Sequence, residues 1–335
     1  MIAKAPINPT LWTALMNSVF RSLFLALALT FAAIAGAQTF PSKAIRFIVP
    51  YPAGGTTDIM ARLIATRLSE RVKQPVVIDN RPGAGGNIGV AEVAKAPADG
   101  YTIGISATNS FAINPHMTKN LPYDALKDFA PVTMVGVIPS VIIVNVDVPA
   151  RTLGELLALA KKQPVAFASP GAGTSLHLTG EILNDAAGVE MTHVPYKGDA
   201  QAMQDLLGGR VQVMMANLAL ALPQIRAGKV RALAVTVGKR AAQLPDVPTV
   251  AESGFKGFDI SVWFTVFTQA AVPKDALDAL HREISRIVDS PDFKSRMSEM
   301  TVDAYSATPS QMRQFMAAEH ERWGRVVRKT GATFD

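Results

Sequence analysis

Cysteine is absent from all 335 residues. That excludes disulfides, thiolate metal sites, cysteine nucleophiles and a lipid-attachment cysteine. Aromatic residues make up only 7% of the chain and no dense run of lysine or arginine occurs, so an aromatic-studded basic surface for nucleic acid is unsupported. Net charge is +6, of which Lys4 and Arg21 contribute +2 within the first 37 residues, where no acid occurs; 6 − 2 leaves +4 for the rest. Such a mild excess favours small anions only as a weak field. No apolar run of membrane-spanning length follows residue 37.

What is present is the composition of a globular chain, 49% hydrophobic and 18% charged, long enough for about two domains. The N-terminus carries an address: Arg21, an apolar run over 23–35, then Ala35, Gly36, Ala37 before Gln38. Positive charge, short apolar run and A-x-A site together predict a cleaved secretory signal peptide over 1–37, hence a periplasmic protein. Met16 is an alternative start, and an uncleaved anchor is the competing reading.

From residue 44 short apolar runs alternate with helical periodicity. Strands are predicted at 44–50, 76–79 and 102–106, with helices over 56–73 and from the Gly-rich turn 81–86 to about 95. This β-α-β-α-β rhythm implies a parallel sheet covered by helices. A second unit follows, with strands at 141–146, 165–168, 193–196, 211–215 and 233–237 and helices at 153–161, 174–187 and 200–208. Helices at 275–288, 290–300 and 309–329 return to the first unit. The predicted organisation is one discontinuous domain, 38–138 and 238–335, carrying an inserted domain 139–237. A linear pair of domains is the alternative.

Four strand-to-helix loops have the chemistry to hold an anion. Pro52 to Asp58 combines Gly54 and Gly55 with Thr56 and Thr57 at a helix start, whose unpaired N–H groups and positive dipole end attract anions. Gly83, Ala84, Gly85, Gly86 also bring backbone close. Their spacing is G-x-G-x-x-x-G, and the next strand ends in Ala107, Thr108, Asn109 without the acidic ribose partner of a dinucleotide site. Ser169 to Ser175 repeats the first loop in the second unit: glycines, hydroxyls, a helix start. Two such helix starts on two units are what a closing cleft needs. The fourth loop is Tyr196, Lys197, Gly198, Asp199, where Lys197 offers charge.

Enzyme signatures are weak. No histidines stand at a compact metal spacing. His177 lies close to Ser175, but no G-x-S-x-G elbow surrounds it, so support of the binding loop or packing inside the helix is the preferred role and a Ser/His hydrolase the weaker alternative.

Taken together, Val49-Pro-Tyr-Pro-Ala-Gly-Gly-Thr-Thr-Asp58, Val77-Ile-Asp-Asn-Arg-Pro-Gly-Ala-Gly-Gly-Asn87, Pro195-Tyr-Lys-Gly198, Asp205-Leu-Leu-Gly-Gly209, Leu244-Pro-Asp-Val-Pro-Thr249 and Trp263-Phe264 resemble the Bug family of periplasmic solute-binding proteins, receptors of tripartite tricarboxylate transporters. The resemblance implies an α/β, two-domain periplasmic-binding-protein fold, a Venus flytrap of type II-like form, with mixed sheets covered by helices and a ligand cleft between the domains. It implies a small carboxylate held largely by backbone N–H groups and hydroxyls, no cofactor or metal, and transient contact of a monomer with transporter membrane subunits. A receptor that signals to a different partner is the alternative.

The expected ligand-binding set from the first unit is Tyr51, Ala53, Gly54, Gly55, Thr56, Gly85, Thr108 and Asn109. From the second it is Ser169, Gly173, Thr174, Ser175, His177, Lys197, Asp199 and Asn217. The sequence departs from the family where a Gly-Gly-Pro-Ala-like stretch is Asp199, Ala200, Gln201, Ala202. It departs again where a Phe-Asp-Asn-like stretch is Met215, Ala216, Asn217, and where Thr265 replaces a glycine. These departures put the ligand's identity in question. N-terminal sequencing of the exported protein is expected to begin at Gln38 or an adjacent residue; an intact Met1 or Met16 would refute the cleavage.

Overall fold

The structure is a computed structural model that describes residues 40–196 and 198–330. The expected signal peptide and Lys197 therefore lie outside the described residues. Among the described residues no helix is long and apolar enough to cross a membrane.

The chain opens with strands β1 (Ile45–Val49), β2 (Val76–Asn80) and β3 (Thr102–Ala107), which pair in parallel in the order β2-β1-β3. In β1, Ile45, Phe47, Ile48 and Val49 are fully buried. Broken only by Arg46, that apolar run suits a parallel strand covered on both faces. Helix α1 (Thr56–Val72) buries Met60, Ala61, Ile64, Ala65 and Leu68, one face of a helical repeat, and stops at Lys73 in the left-handed conformation. A 3-10 turn (Ala84–Gly86) leads into α2 (Asn87–Lys95), and a π turn (Asn109–Ile113) runs into α3 (Asn114–Met117).

β4 (Phe129–Asn145) is a 17-residue strand that serves two sheets. Its first part, through Pro139, pairs antiparallel with β9 (Ser261–Gln269), which itself pairs antiparallel with β3. From Ser140 onward it pairs with β7 (Val213–Asn217) and β8 (Val230–Val235). β7 continues in parallel to β5 (Ala166–Ser169) and β6 (Thr192–Pro195). The resulting order is β2-β1-β3-β9-β4-β7-β5-β6, with β8 branching from β4. The remaining helices are α4 (Leu153–Ala160), α5 (Ser175–Ala187), α6 (Asp199–Leu207), α7 (Leu218–Arg226), α8 (Lys274–Val288), α9 (Pro291–Glu299) and α10 (Pro309–Thr330).

Several elements differ from the sequence expectation. The strand expected at 141–146 begins twelve residues earlier, at Phe129, because Pro131, Gly136 and Pro139 interrupt its pattern. Register shifts absorb the first two: they fall at 131/133 and 134/136. Gly136 is also where another stretch of chain approaches, since an added Cβ would lie 2.8 Å from Asp303 O. α7 went unpredicted because Pro223 lies inside it. β9 went unassigned although its β-branched and aromatic run was visible.

Where the chain changes sheets, one threonine joins three segments. Thr236 donates its N–H to Ser140 O (2.9 Å), its carbonyl accepts from Ile260 N–H (2.8 Å), and its hydroxyl is shared between Ile260 O (2.6 Å) and Ser140 O (3.2 Å). After it, Val237, Ala241 and Leu244 pack into a core cluster with Val141, Val235 and Leu218 of the second sheet. At the C-terminus, α10 packs on β4 and on α5. Its buried Glu319 takes the indole N–H groups of Trp263 and Trp323 on one oxygen (3.1 Å each) and Arg322 on the other (2.6 Å). That carboxylate is fully compensated, as burial requires.

Thr236→Val keeps the shape but removes the hydroxyl. It should lower stability by about 1–3 kcal/mol, the cost of leaving a buried polar group without its partner. Urea denaturation should show a lower midpoint with an unchanged slope.

Candidate functional site

The candidate residues gather at the carboxyl ends of the parallel strands: after β1, β2 and β3 in one sheet, after β5, β6 and β7 in the other. Crevices at these ends are where open α/β sheets hold ligands.

The loop after β1 is exposed from Pro52 to Gly55 and turns at Gly54, with φ of +85°. It is fastened from below. Gly54 N–H donates to Asp58 Oδ2 (2.9 Å), Arg62 Nε donates to the same oxygen (2.8 Å), and Asn80 Nδ2 donates to Asp58 Oδ1 (2.9 Å) and Tyr51 O (3.1 Å). Burial pushes the Asp58 carboxyl up, yet Arg62, the Gly54 N–H and Asn80 together hold it below its ordinary value. Gly54's own N–H is thus committed internally. Helix α1, by contrast, starts at Thr56 after Gly55 with no side-chain capping bond. Its first-turn N–H groups and positive dipole end make the kind of helix start that attracts anions.

Behind this loop Tyr51 lies against Gly86, where an added Cβ would sit 3.2 Å from the phenolic oxygen. Its hydroxyl is 3.4 Å from Ser106 Oγ, which is 2.7 Å from Ser110 Oγ. Gly85, at φ +64°, offers its carbonyl to Asn114 Nδ2 (3.3 Å), which also donates to Asn87 Oδ1 (2.6 Å). Tyr123 hydroxyl reaches Ser110 O (2.8 Å) and Asn87 Oδ1 (3.0 Å), and burial pushes its pKa up. Ala53 is on the exposed tip and Asn109 is half-buried at the start of the π turn. Thr108 differs in kind: it is fully buried and its hydroxyl accepts Trp263 N–H (2.9 Å), which ties β9 to β3.

The loop after β5 is braced by its own side chains. Thr174 Oγ1 donates to Gly171 O (2.8 Å) and caps α5 by accepting His177 N–H (3.2 Å). Gly173 N–H donates to His177 Nδ1 (3.0 Å), while Ser169 Oγ meets His193 Nε2 (2.7 Å). The two imidazoles stack with centroids 3.8 Å apart, and Phe167 lies beside both. Because His177 Nδ1 accepts, its proton is assigned to Nε2, which faces Glu181 at 3.5 Å. Both ring nitrogens are therefore engaged, and the imidazole is not placed to activate buried Ser175, whose carbonyl accepts from Thr179 Oγ1 (2.7 Å). The expectation that His177 supports the loop matches this geometry. Glu181 and His193 were missed; the i,i+4 spacing of Glu181 was legible, the stacking of His193 was not.

Asp199 opens α6 after Gly198, whose φ is +117° and whose N–H donates to Pro170 O (3.1 Å). Asn217 ends β7. Asp199 Oδ1 and Asn217 Oδ1 are each buried without a hydrogen-bond partner. Among the described residues no hydrogen bond or ion pair links the β1 loop to the β5 loop. A separate cavity of about 990 Å³ is lined by Pro139, Lys239, Asp303 and Arg322 among others and by none of the predicted site residues. Among its charges, Lys239 pairs with Asp303 (3.7 Å) and Arg322 with Glu319 (2.6 Å).

A family model for the tripartite tricarboxylate transporter family receptor matches residues 60–332. The chain belongs to that receptor family. Protein BugT of Bordetella pertussis is 39% identical to it over 304 residues, covering 90% of this chain and 93% of the relative. Among solved structures, Rpa4515 of R. palustris with adipate is 36% identical with a TM-score of 0.75, covering 88% of this chain and 99% of that one. The periplasmic binding protein BugD is 34% identical with a TM-score of 0.71, covering 88% and 99%. The fold is accordingly the two-domain, mixed-sheet periplasmic-binding-protein fold that the Bug resemblance implied.

Within this receptor, burial first and neighbouring His177 second push His193 from its ordinary 6.5 to about 4. Between those values the unfolded chain binds the proton and the folded one does not, so stability should fall as pH drops from 6.5 toward 4. His193→Gln should flatten that part of the melting-temperature profile; parallel profiles would refute the assignment.

Proposed function

We propose that this receptor captures a small carboxylate between its two lobes in the periplasm and delivers it to the membrane subunits of a tripartite transporter. The observation that carries the proposal is the exposed, uncapped start of α1 behind Gly54 and Gly55. A carboxylate there gains charge-assisted bonds from backbone N–H groups and needs no arginine. The relative with adipate supports the ligand class.

In this reading the β5 loop is the opposing jaw. Its glycine turn is held rigid by Thr174, His177 and His193, so its backbone is organised before ligand arrives. Lys197, between Tyr196 and Gly198 in the sequence, is a further proposed ligand contact. The lobes divide between Pro139 and Ser140 in β4. We place the return in 251–260 rather than at 237/238, because Val237, Ala241 and Leu244 pack with the second sheet's core. Closure about Thr236 requires a ligand that binds the closed form better than the open one. The protein acts as a monomer, without a cofactor, after export by the 1–37 signal peptide. The hydrolase alternative loses its base, because both nitrogens of His177 are engaged.

A thermal-shift panel of mono-, di- and tricarboxylates tests the ligand class. Stabilisation at a hundredfold excess over Kd amounts to about 2.7 kcal/mol. A response to sugars or cations with none to carboxylates would overturn it. Gly54→Val forces a branched side chain into a left-handed φ, straining the loop by about 1–2 kcal/mol. Carboxylate affinity by calorimetry should drop at least about tenfold; undiminished affinity would remove this loop from the grip.

A further inference from the structure

Most polar side chains of the β5 loop and its surroundings already have partners. Ser169, Thr174, His177 and His193 satisfy one another or the loop backbone, and Tyr196 hydroxyl donates to Asp205 (2.9 Å). Asp199 and Asn217 stand apart. Each has a side-chain oxygen buried from solvent and without a hydrogen-bond partner. They come from different elements that meet, since α6 packs across β7 and β5. Both lie at the strand ends where the proposed cleft opens.

The chemistry of these two atoms restricts what could satisfy them. An ionised carboxylate and an amide oxygen only accept hydrogen bonds, and so does the carboxylate of a ligand. Neither Asp199 nor Asn217 Oδ1 can therefore take the ligand's acid group. Among the described residues no cation pairs with Asp199, and the N-terminal dipole of α6 offsets the cost of a buried carboxylate only in part. Its desolvation already drives the Asp199 pKa upward. A hydroxyl carries one hydrogen and satisfies one of the two oxygens. An ammonium carries three and brings the missing positive charge.

We propose that Asp199 and Asn217 form a cation subsite that selects a carboxylate bearing an ammonium group, so that the receptor's ligand is an amino acid rather than a plain or hydroxy acid. This inference rests on the carboxylate-receptor reading above. It divides the labour: the uncapped start of α1 takes the carboxylate, and the orphaned acceptors beside β7 take the ammonium. It also gives Asp199 the role of specificity-determining residue.

Calorimetry on the full mature chain with matched probes separates the outcomes: succinate against L-aspartate, glutarate against L-glutamate, propionate against L-alanine, and malate as the hydroxy control. We expect the amino member of at least one pair to bind at least tenfold more tightly than its partner and than malate. Asp199→Asn should bring that pair to parity. The ligand-free variant should melt no lower than the parent, because the change removes an uncompensated buried charge. Plain acids or malate binding as tightly as the amino acids would overturn the subsite while leaving the carboxylate reading intact. A preference that survives Asp199→Asn would do the same. Binding by none of the carboxylates would overturn both.

Discussion

β4 is the constraint on which the rest of the structure depends. One continuous strand belongs to both sheets, handing over from β9 to β7 and β8 between Pro139 and Ser140. Neither sheet can be assembled without it, so the parallel units at both ends are oriented by a single piece of backbone. Thr236 then makes the changeover specific, because its N–H, carbonyl and hydroxyl fix three chain segments to one another. With one strand and one threonine setting the geometry, the carboxyl ends of β1 and β3 and those of β5 and β7 both come to flank the same changeover. The candidate loops need no further device to be brought into one region.

The two halves of that region are built on different principles. On the first sheet the loop is anchored through charge: Asp58 gathers Gly54, Arg62 and Asn80, and leaves the helix start uncapped. On the second the anchor is a pair of stacked imidazoles, His177 and His193, which hold Gly173 and Ser169. The first sheet's loop keeps its charge below, where Asp58 is almost wholly buried. In both loops the anchoring side chains are turned to the loop's own backbone.

Local pattern made much of this legible in the sequence. The helix over Thr56–Val72 and the strands of the first sheet follow from short-range periodicity, and their ends shift by one or two residues. The same holds for the Gly-rich strand-to-helix loops. What escaped was long-range. The first half of β4 hides behind prolines that edge pairing and register shifts tolerate, and α7 hides behind Pro223. Thr108 carried a hydroxyl in the expected position yet spends it on Trp263, a partner 155 residues away. Whether a polar side chain is satisfied internally depends on the tertiary neighbours of each atom, so the difference between Thr174 and Asp199 cannot be read from residue type.

The two tryptophans that share Glu319 have an optical consequence. The chain contains three tryptophans, and Trp12 falls within the expected leader. In a chain cut at the expected site, all indole emission comes from Trp263 and Trp323, both fully buried and both hydrogen-bonded to the same carboxylate oxygen. Trp263 lies two residues into β9, beside the changeover at Ser261, whereas Trp323 rides on the C-terminal helix. Any rotation of one sheet against the other that disturbs this shared oxygen alters the polarity felt by both emitters at once. The protein thus carries an intrinsic fluorescent gauge of any such rotation, with no added label.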